Sequence, residues 1–363
     1  MRPHEKYFRI RPTAVILVIF VTLALATCSK KPQTFITGTT HSMGTVVNIS
    51  IYSAEQTADL EQLYLQAVQA MEEVSAHAAG FRQGSELYDL NQSAGDAEGF
   101  VVSPILLDLL LKSQEAYQLT SGAFDPTVAP LVSAYNFAYD SKTGEKSTPH
   151  PLTAQQVSAL LPLVGFSKVL VDEEKSKVYL PAGMSIDLGA IAKGYAADMA
   201  CGRVAEEISG VMVEIGGDIA IRGDKPDGEP WQVAIADPRR PQETLVELLL
   251  TGDCGVATSG DYERYFEVDG IRYSHIIDPK TGLPAHYMVS VTVMAPTAAL
   301  ADALATGIFV LGIEPGLALV EQLPGVEVLI YTEEDGELGA HYSSGFEKFL
   351  ADDEDREQIG YSN

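Results

Sequence analysis

Two hydrophobic periods succeed each other along this chain. Thr45 to Tyr52 alternates apolar and polar residues and predicts a strand. From Ala58 to Ala78 the apolar positions Leu60, Leu63, Ala67, Ala70 and Val74 recur at helical spacing and predict a helix. Ser103 followed by Pro104 supplies an N-cap and a first-turn proline, so an apolar helix opens there and runs through Tyr117. Thr153-Ala154-Gln155-Gln156 is a capping box that opens another helix, and Asp140 to Pro151 reads as a polar surface loop.

From Val169 onward short strand patterns follow closely: Val178 to Leu180, Val211 to Ile215, Trp231 to Ala236 and Leu245 to Leu250. Asp269-Gly270 between alternating segments predicts a hairpin. Long helical patterns interrupt only near 190–208 and 297–309. Strands grouped in runs, rather than alternating strictly with helices, argue for an α+β fold. The expectation is a single domain over 36–350, with mixed or antiparallel sheets and flanking helices, no internal repeat and no second-domain linker.

Ahead of that domain the pattern changes. Arg2, Lys6, Arg9 and Arg11 precede an uncharged run from Thr13 to Ala26, which ends in Leu25-Ala26-Thr27-Cys28. This is the order of a signal peptide. The run falls short of the roughly 20 apolar residues a spanning helix needs, and its small residues before a cysteine resemble a lipoprotein signal. Residues 1–27 are then removed, Cys28 is lipidated and 28–35 form the anchored linker. An uncleaved N-terminal anchor helix is the alternative. Both readings place the globular part outside the cytoplasm; the expected location is the periplasmic face of the inner membrane, tethered at Cys28. At the other end, Asp352-Asp353-Glu354-Asp355 within 351–363 reads as a solvated acidic tail.

Composition narrows the chemistry. With 363 residues, 46% of them hydrophobic, the chain can bury a large core and is neither disordered nor fibrous. Its net charge is -26, and loss of residues 1–27, which carry four basic residues and one acidic one, moves it to -29. Polyanions are repelled, so nucleic acid is not a partner. Any phosphate-bearing small ligand must be held by a local device, a cation or aimed backbone amides. Cys201 and Cys254 read as buried thiols rather than a bridge.

No phosphate-binding loop, dinucleotide fingerprint or nucleophile elbow is present. Instead Ile186-Asp187-Leu188-Gly189-Ala190-Ile191-Ala192-Lys193-Gly194-Tyr195 reads as a strand passing through glycine into a helix start, where phosphate is attracted. A plain strand-to-helix turn, with Asp187 satisfying nearby amides, is the alternative. Asp302 and Thr306 are four apart on an otherwise apolar helix and share a face. A carboxylate and a hydroxyl there suit a hard cation such as magnesium, although an internally bonded pair has the same spacing. Gly216-Gly217 ends a strand before Asp218 and either admits a ligand close to the backbone or makes a tight turn. His275, at the end of the hairpin's return strand, is placed to accept a proton or touch a phosphate, or serves structurally.

Together these segments resemble the ApbE family of FAD:protein FMN transferases, over about His41 to Phe349. The resemblance is carried in order by His41-Ser42-Met43-Gly44-Thr45, Gly122-Ala123-Phe124-Asp125-Pro126-Thr127-Val128, Asp187 to Tyr195, Gly216-Gly217, Ser274 to Pro279 and Ala301 to Gly307. It implies FAD as substrate, bound through Met43, Phe81, Ala123, Phe124, Asp125, Asp187, Lys193 and Ile277. It implies Mg2+ held by Asp302, Thr306 and the Ala190 carbonyl, with His275 and Asp302 as catalytic residues. The implied reaction joins FMN to a threonine hydroxyl of an acceptor flavoprotein and releases AMP. Acceptors, expected among membrane redox subunits, carry a D-G-x-[ST]-G-A-[ST]-like site. The nearest match here, Asp335-Gly336-Glu337-Leu338-Gly339-Ala340-His341, lacks the hydroxyl, so self-modification there is not expected. The chain departs from the family pattern at Tyr135-Asn136-Phe137, where a tryptophan-containing segment is frequent, and at Lys193, which is acidic in some members. Two other functions fit the same residues: an FAD pyrophosphatase yielding FMN and AMP, and a non-catalytic flavin-binding lipoprotein, against which Asp302 and Thr306 argue.

Overall fold

The structure, a computed structural model, describes residues 16–17, 34–55, 59–137 and 148–360. Cys28, nearly all of the expected signal peptide and residues 140–147 of the expected loop lie outside the described residues. The centre is a sheet whose strands run in the order Ile16–Leu17, Thr34–Ser42, Thr45–Ser53, Gly210–Ile215, Asp218–Gly223, Cys254–Gly260, Ser290–Ala295, Glu327–Glu334 and Glu337–Tyr342. Every neighbouring pair in it is antiparallel. The α+β reading therefore holds in its antiparallel form.

Alternate residues of these strands enter different layers. Val47, Ile49, Ile51, Val211, Val213 and Ile215 pack beneath the helices Leu60–Ala78, Pro104–Leu119 and Ala192–Val204. On the same side Val291, Val293, Val328 and Ile330 meet the helix Ala298–Leu311. The opposite faces, including Met212, Ile221, Val256, Leu329 and Tyr331, are covered by the hairpin Trp231–Ala236 and Thr244–Leu250. Burying one such side chain contributes about 1.5–3 kcal/mol, so both covers matter. Ser290–Ala295 is buried at every position and shows no alternation, as a strand covered on both faces requires.

Local signals place the helix ends. Asp59 Oδ1 accepts from Gln62 N at 3.1 Å, so the first helix starts at Leu60, two residues after the predicted start. Ser103 Oγ accepts from Leu106 N at 3.2 Å, and its helix continues to Leu119. The capping box forms: Thr153 N donates to Gln156 Oε1 at 2.9 Å and Gln156 N to Thr153 Oγ1 at 3.3 Å. The hairpin Tyr265–Val268 and Ile271–Ser274 turns on Asp269 (φ 53°) and Gly270 (φ 80°). Two consecutive left-handed residues match the right-handed twist of paired strands, which explains the Asp-Gly signal.

Three expectations need correction. Residues 186–189 form no strand: 186–188 carry no regular structure and Gly189 opens a turn. The Ile186 backbone is satisfied instead by Asn91, whose side chain bonds Ile186 N at 2.8 Å and Ile186 O at 2.9 Å. Cys254 is only partly buried, while Cys201 is buried and both are free thiols. The acidic stretch after Leu350 is not wholly solvated. Asp353–Gln358 is a short helix, Asp355 Oδ1 accepts from Glu247 N at 3.1 Å, and Ile359 is buried against the hairpin layer. An unpaired strand N–H and an apolar side chain fix what charge alone would have left in water.

Candidate active site

The site lies where the 186–189 segment turns into the helix Ala192–Val204. Asp187 N donates to Pro126 O at 2.8 Å, which fastens this segment to the loop before Pro126. That loop turns through Ser121 (φ 51°) and Gly122 (φ 81°) and buries Ala123 and Phe124. Asp125 holds it: Oδ1 accepts from Thr127 N at 2.8 Å and from Thr127 Oγ1 at 2.5 Å, and Oδ2 from Phe166 N at 3.1 Å. Burial pushes the Asp125 carboxyl above the usual range even against these hydrogen bonds. Asp187 Oδ1 accepts from Gly189 N at 2.8 Å, as the plain-turn reading had it.

Two helices meet here at close range. An added Cβ on Gly194 would lie 2.2 Å from Ala298 O, so glycine is required for the approach. Asp302, only 4% exposed on the second helix, accepts from Gly194 N through Oδ2 at 3.2 Å. Lys193, whose side chain is 26% exposed, forms an ion pair with Asp218, itself 1% exposed. Burial alone would pull the Lys193 ammonium down, but Asp218, Asp302 and Glu263 reverse this and hold it above the usual lysine value. Burial, reinforced by Asp218, pushes Asp302 well above the usual carboxylate range.

Across the pocket, the strand Cys254–Gly260 brings Ser259 Oγ to 3.1 Å from Thr306 Oγ1. His275 N donates to Arg264 O at 2.9 Å, and its Nε2 is 4.0 Å from Glu263 Oε2. Burial, then the nearby Arg264 charge, lowers His275 well below the usual histidine value, so the ring is neutral at neutral pH. Its Nδ1 is buried without a hydrogen-bond partner among the described residues.

The structure thus brings Ala123, Phe124, Asp125, Asp187, Ala190, Lys193, His275, Ile277, Asp302 and Thr306 to the walls of one pocket. It does not bring Met43 and Phe81 there. Met43 occupies the left-handed tip (φ 50°) of the hairpin joining Thr34–Ser42 to Thr45–Ser53, and Phe81 is 49% exposed. Sequence reasoning missed Ser259, Glu263 and Arg264 as further walls, and Asp218 as the Lys193 counter-ion. Asp218 directly follows Gly216-Gly217, whose positive φ angles of 58° and 96° turn the chain into its strand. That adjacency was the one signal it offered.

Ala190, Asp302 and Thr306 provide a carbonyl, a carboxylate and a hydroxyl, all hard oxygen donors. No group of three or more His, Cys, Asp and Glu side chains gathers as a ligand set among the described residues, so such a site needs main-chain and hydroxyl oxygens. Two buried carboxyl groups, Asp218 and Asp302, face one partly buried ammonium, Lys193. A divalent cation would offset the burial and the Asp218 charge that disfavour an ionised Asp302, and would leave positions for water or phosphate.

The model of the ApbE family matches residues 43–330, which includes every wall of this pocket. The chain belongs to the ApbE family. Among curated members, the FAD:protein FMN transferase of Vibrio cholerae serotype O1 is 36% identical over 334 residues, 91% of this chain and 96% of the relative. The Escherichia coli K12 FAD:protein FMN transferase is 32% identical over 350 residues, 92% and 97% respectively. Solved ApbE structures share the fold. The flavin transferase ApbE from Vibrio cholerae aligns with TM-score 0.76 and 34% identity, covering 88% of this chain and all of that one. The ApbE protein from Thermotoga maritima aligns with TM-score 0.77 and 31% identity over the same shares.

Proposed function

We propose that this chain is a magnesium-dependent FAD:protein FMN transferase that moves FMN from FAD to a threonine hydroxyl of an acceptor flavoprotein. The supporting observation is one pocket in which Lys193, a helix N-terminus, Asp302, Thr306 and a neutral His275 converge, in a chain whose relatives carry that activity in their names. The acceptor oxygen attacks the FMN-side phosphorus, a phosphoester bond forms, and the pyrophosphate bond breaks with its electron pair leaving on AMP. The hydroxyl proton passes to a base, for which His275 is the neutral group at hand.

Magnesium held by Ala190, Asp302 and Thr306 would stabilise charge on the phosphate oxygens. The chain's own residues bind and orient. The helix start at Ala192 and the Lys193 ammonium favour phosphate, while Ala123, Phe124 and Ile277 supply apolar wall. This arrangement answers the charge problem, since a chain of net charge -26 holds a pyrophosphate only where local positive groups oppose the overall field. Phosphoryl transfer of this kind depends on alignment and charge stabilisation more than on covalent chemistry by the protein.

The location forms part of the same reading: export, lipidation at Cys28 and residence on the periplasmic face of the inner membrane, near membrane redox subunits that serve as acceptors. Among the described residues no helix is long and apolar enough to cross a membrane.

The test is incubation with FAD, magnesium and an acceptor domain bearing a D-G-x-[ST]-G-A-[ST] site. Fluorescent FMN bound to the acceptor, with equimolar AMP, is the expected result. Free FMN without labelling would assign FAD hydrolysis instead. If wild type released no AMP and Asp302→Ala bound FAD undiminished, the chain would be a flavin carrier.

A further inference from the structure

The helix Ala298–Leu311 carries Asp302 and Thr306, and its first turn is held from outside. Its own cap, Thr297, accepts from Leu300 N through Oγ1 at 3.3 Å. The two amides before that are taken by a residue of the other helix. Asp198 Oδ1 accepts from Ala298 N at 3.1 Å, and Asp198 Oδ2 accepts from Ala299 N at 2.9 Å. A carboxylate at a helix N-terminus also opposes the positive end of the helix dipole.

The arrangement is reciprocal. Asp302 takes Gly194 N at the start of the helix Ala192–Val204, and Asp198 of that helix takes the start of the helix bearing Asp302. Ala298 is also boxed by backbone: an added Cβ on Gly194 would lie 2.2 Å from its O, and one on Gly255 2.1 Å from its N. Arg222 closes the far side, with Nη2 3.5 Å from Asp198 Oδ1 and Nη1 donating to Pro296 O at 3.5 Å. Asp302 is one turn beyond the amides that Asp198 holds, so rotation or fraying of that turn moves the carboxylate relative to Ala190 and Lys193.

We propose that Asp198 is a positioning residue that fixes the first turn of this helix and thereby sets Asp302 and Thr306 for a divalent cation. Asp198 is absent from the pocket walls, so its effect passes through the helix rather than through contact with FAD. The inference rests on the proposed magnesium site.

The test uses the full chain with magnesium alone as probe, without FAD, read as the rise in Tm with magnesium concentration. Transfer kinetics over the same magnesium range provide the second readout. Wild type is expected to gain Tm with magnesium, as any ligand of the folded state demands. In Asp198→Ala the apparent magnesium dissociation constant rises about tenfold, equivalent to roughly 1.4 kcal/mol, while kcat at saturating magnesium stays near wild type. Asp198→Asn, whose amide oxygen still accepts one of the two N–H groups, falls between the two. A variant with lower Tm in metal-free buffer but an unchanged magnesium constant makes Asp198 merely structural and overturns the proposal. If Asp198→Ala does not fold, Arg222→Gln loosens the same carboxylate; a raised magnesium constant supports the proposal and an unchanged one overturns it. A wild type indifferent to magnesium overturns the metal reading and this inference with it, whereas a responsive wild type with unshifted variants overturns this inference alone.

Discussion

Lys193, partly buried against Asp218, is the cation on which the pocket's electrostatics turn. Removing it in Lys193→Met leaves Asp218, 1% exposed, without its counter-ion. Stranding a buried charge costs up to about 3–5 kcal/mol, less where one end of the pair reaches solvent as Lys193 does, so thermal unfolding should register a drop. The KM for FAD should rise as well, and a variant with unchanged Tm and KM would remove Lys193 from both roles. His275 makes a second prediction through pH. Burial holds its folded-state value below the unfolded one, so the unfolded chain binds the extra proton first. That contribution to stability is intact above about pH 6.5 and is lost as pH falls below it. Urea unfolding at pH 7.5 and 5.5 should show the loss in wild type and a smaller one in His275→Asn. At this scale the sequence was legible where a residue type was out of keeping with its surroundings, as with Asp302 on an apolar helix. Asp218 offered only its place after paired glycines, and Glu263, whose side chain stays 40% exposed at the pocket rim, reads as ordinary surface.

Elements position these residues by close backbone approach. Gly194→Ala introduces a methyl group 2.2 Å from Ala298 O, a backbone atom that cannot swing aside. The better helix propensity of alanine, worth about 1 kcal/mol, is outweighed by strain of about 1–3 kcal/mol, and Asp302 loses its Gly194 N–H. The expected result is a lower Tm together with weaker magnesium binding; a Tm at or above wild type would show that the helices can part freely. A second clasp holds the pocket's other wall. Arg239 pairs with both oxygens of Asp261 at 2.7 and 3.0 Å and with Glu333 at 2.7 Å, tying the loop after Trp231–Ala236 to the segment that carries Glu263 and Arg264. Arg239→Ala should cost about 2 kcal/mol of stability, the scale of a lost charged hydrogen bond, measurable by denaturant unfolding. The strand Trp231–Ala236 was readable to the residue because one face is buried and the other exposed. The 186–189 segment reads as a strand but forms none, since its apolar spacing is strand-like and only Asn91, about a hundred residues away in sequence, reveals how the Ile186 backbone is satisfied.

For the molecule as a whole, an acidic body, a pocket whose carboxylates suit a divalent cation and an expected lipid anchor address one problem: an enzyme that repels polyanions must still meet FAD and a protein acceptor. The buried core begins at Ile36, and the sheet takes up Thr34–Ser42 as a full strand. Of residues 1–33 the structure describes Ile16–Leu17 alone, whose backbone pairs with Thr39 and Gly38 at the edge of the sheet. Removing it takes away only a two-residue edge pairing, so a chain starting at Thr34 should keep its Tm and its transfer rate onto a soluble acceptor domain within about twofold, the scatter of small stability effects on activity. Transfer onto an acceptor embedded in the same vesicles is another matter. Confinement of two partners to one surface replaces a bulk encounter by a local one, and loss of such an effective concentration commonly costs 10²-fold or more. The truncated chain, or Cys28→Ala in a lipidating host, should label the membrane acceptor at least about tenfold more slowly at equal enzyme. Equal labelling of soluble and embedded acceptors by both forms would leave the anchor without a catalytic purpose. The difference in rate between the two acceptors separates that result from a simple loss of folding, since an unfolded chain would fail on both.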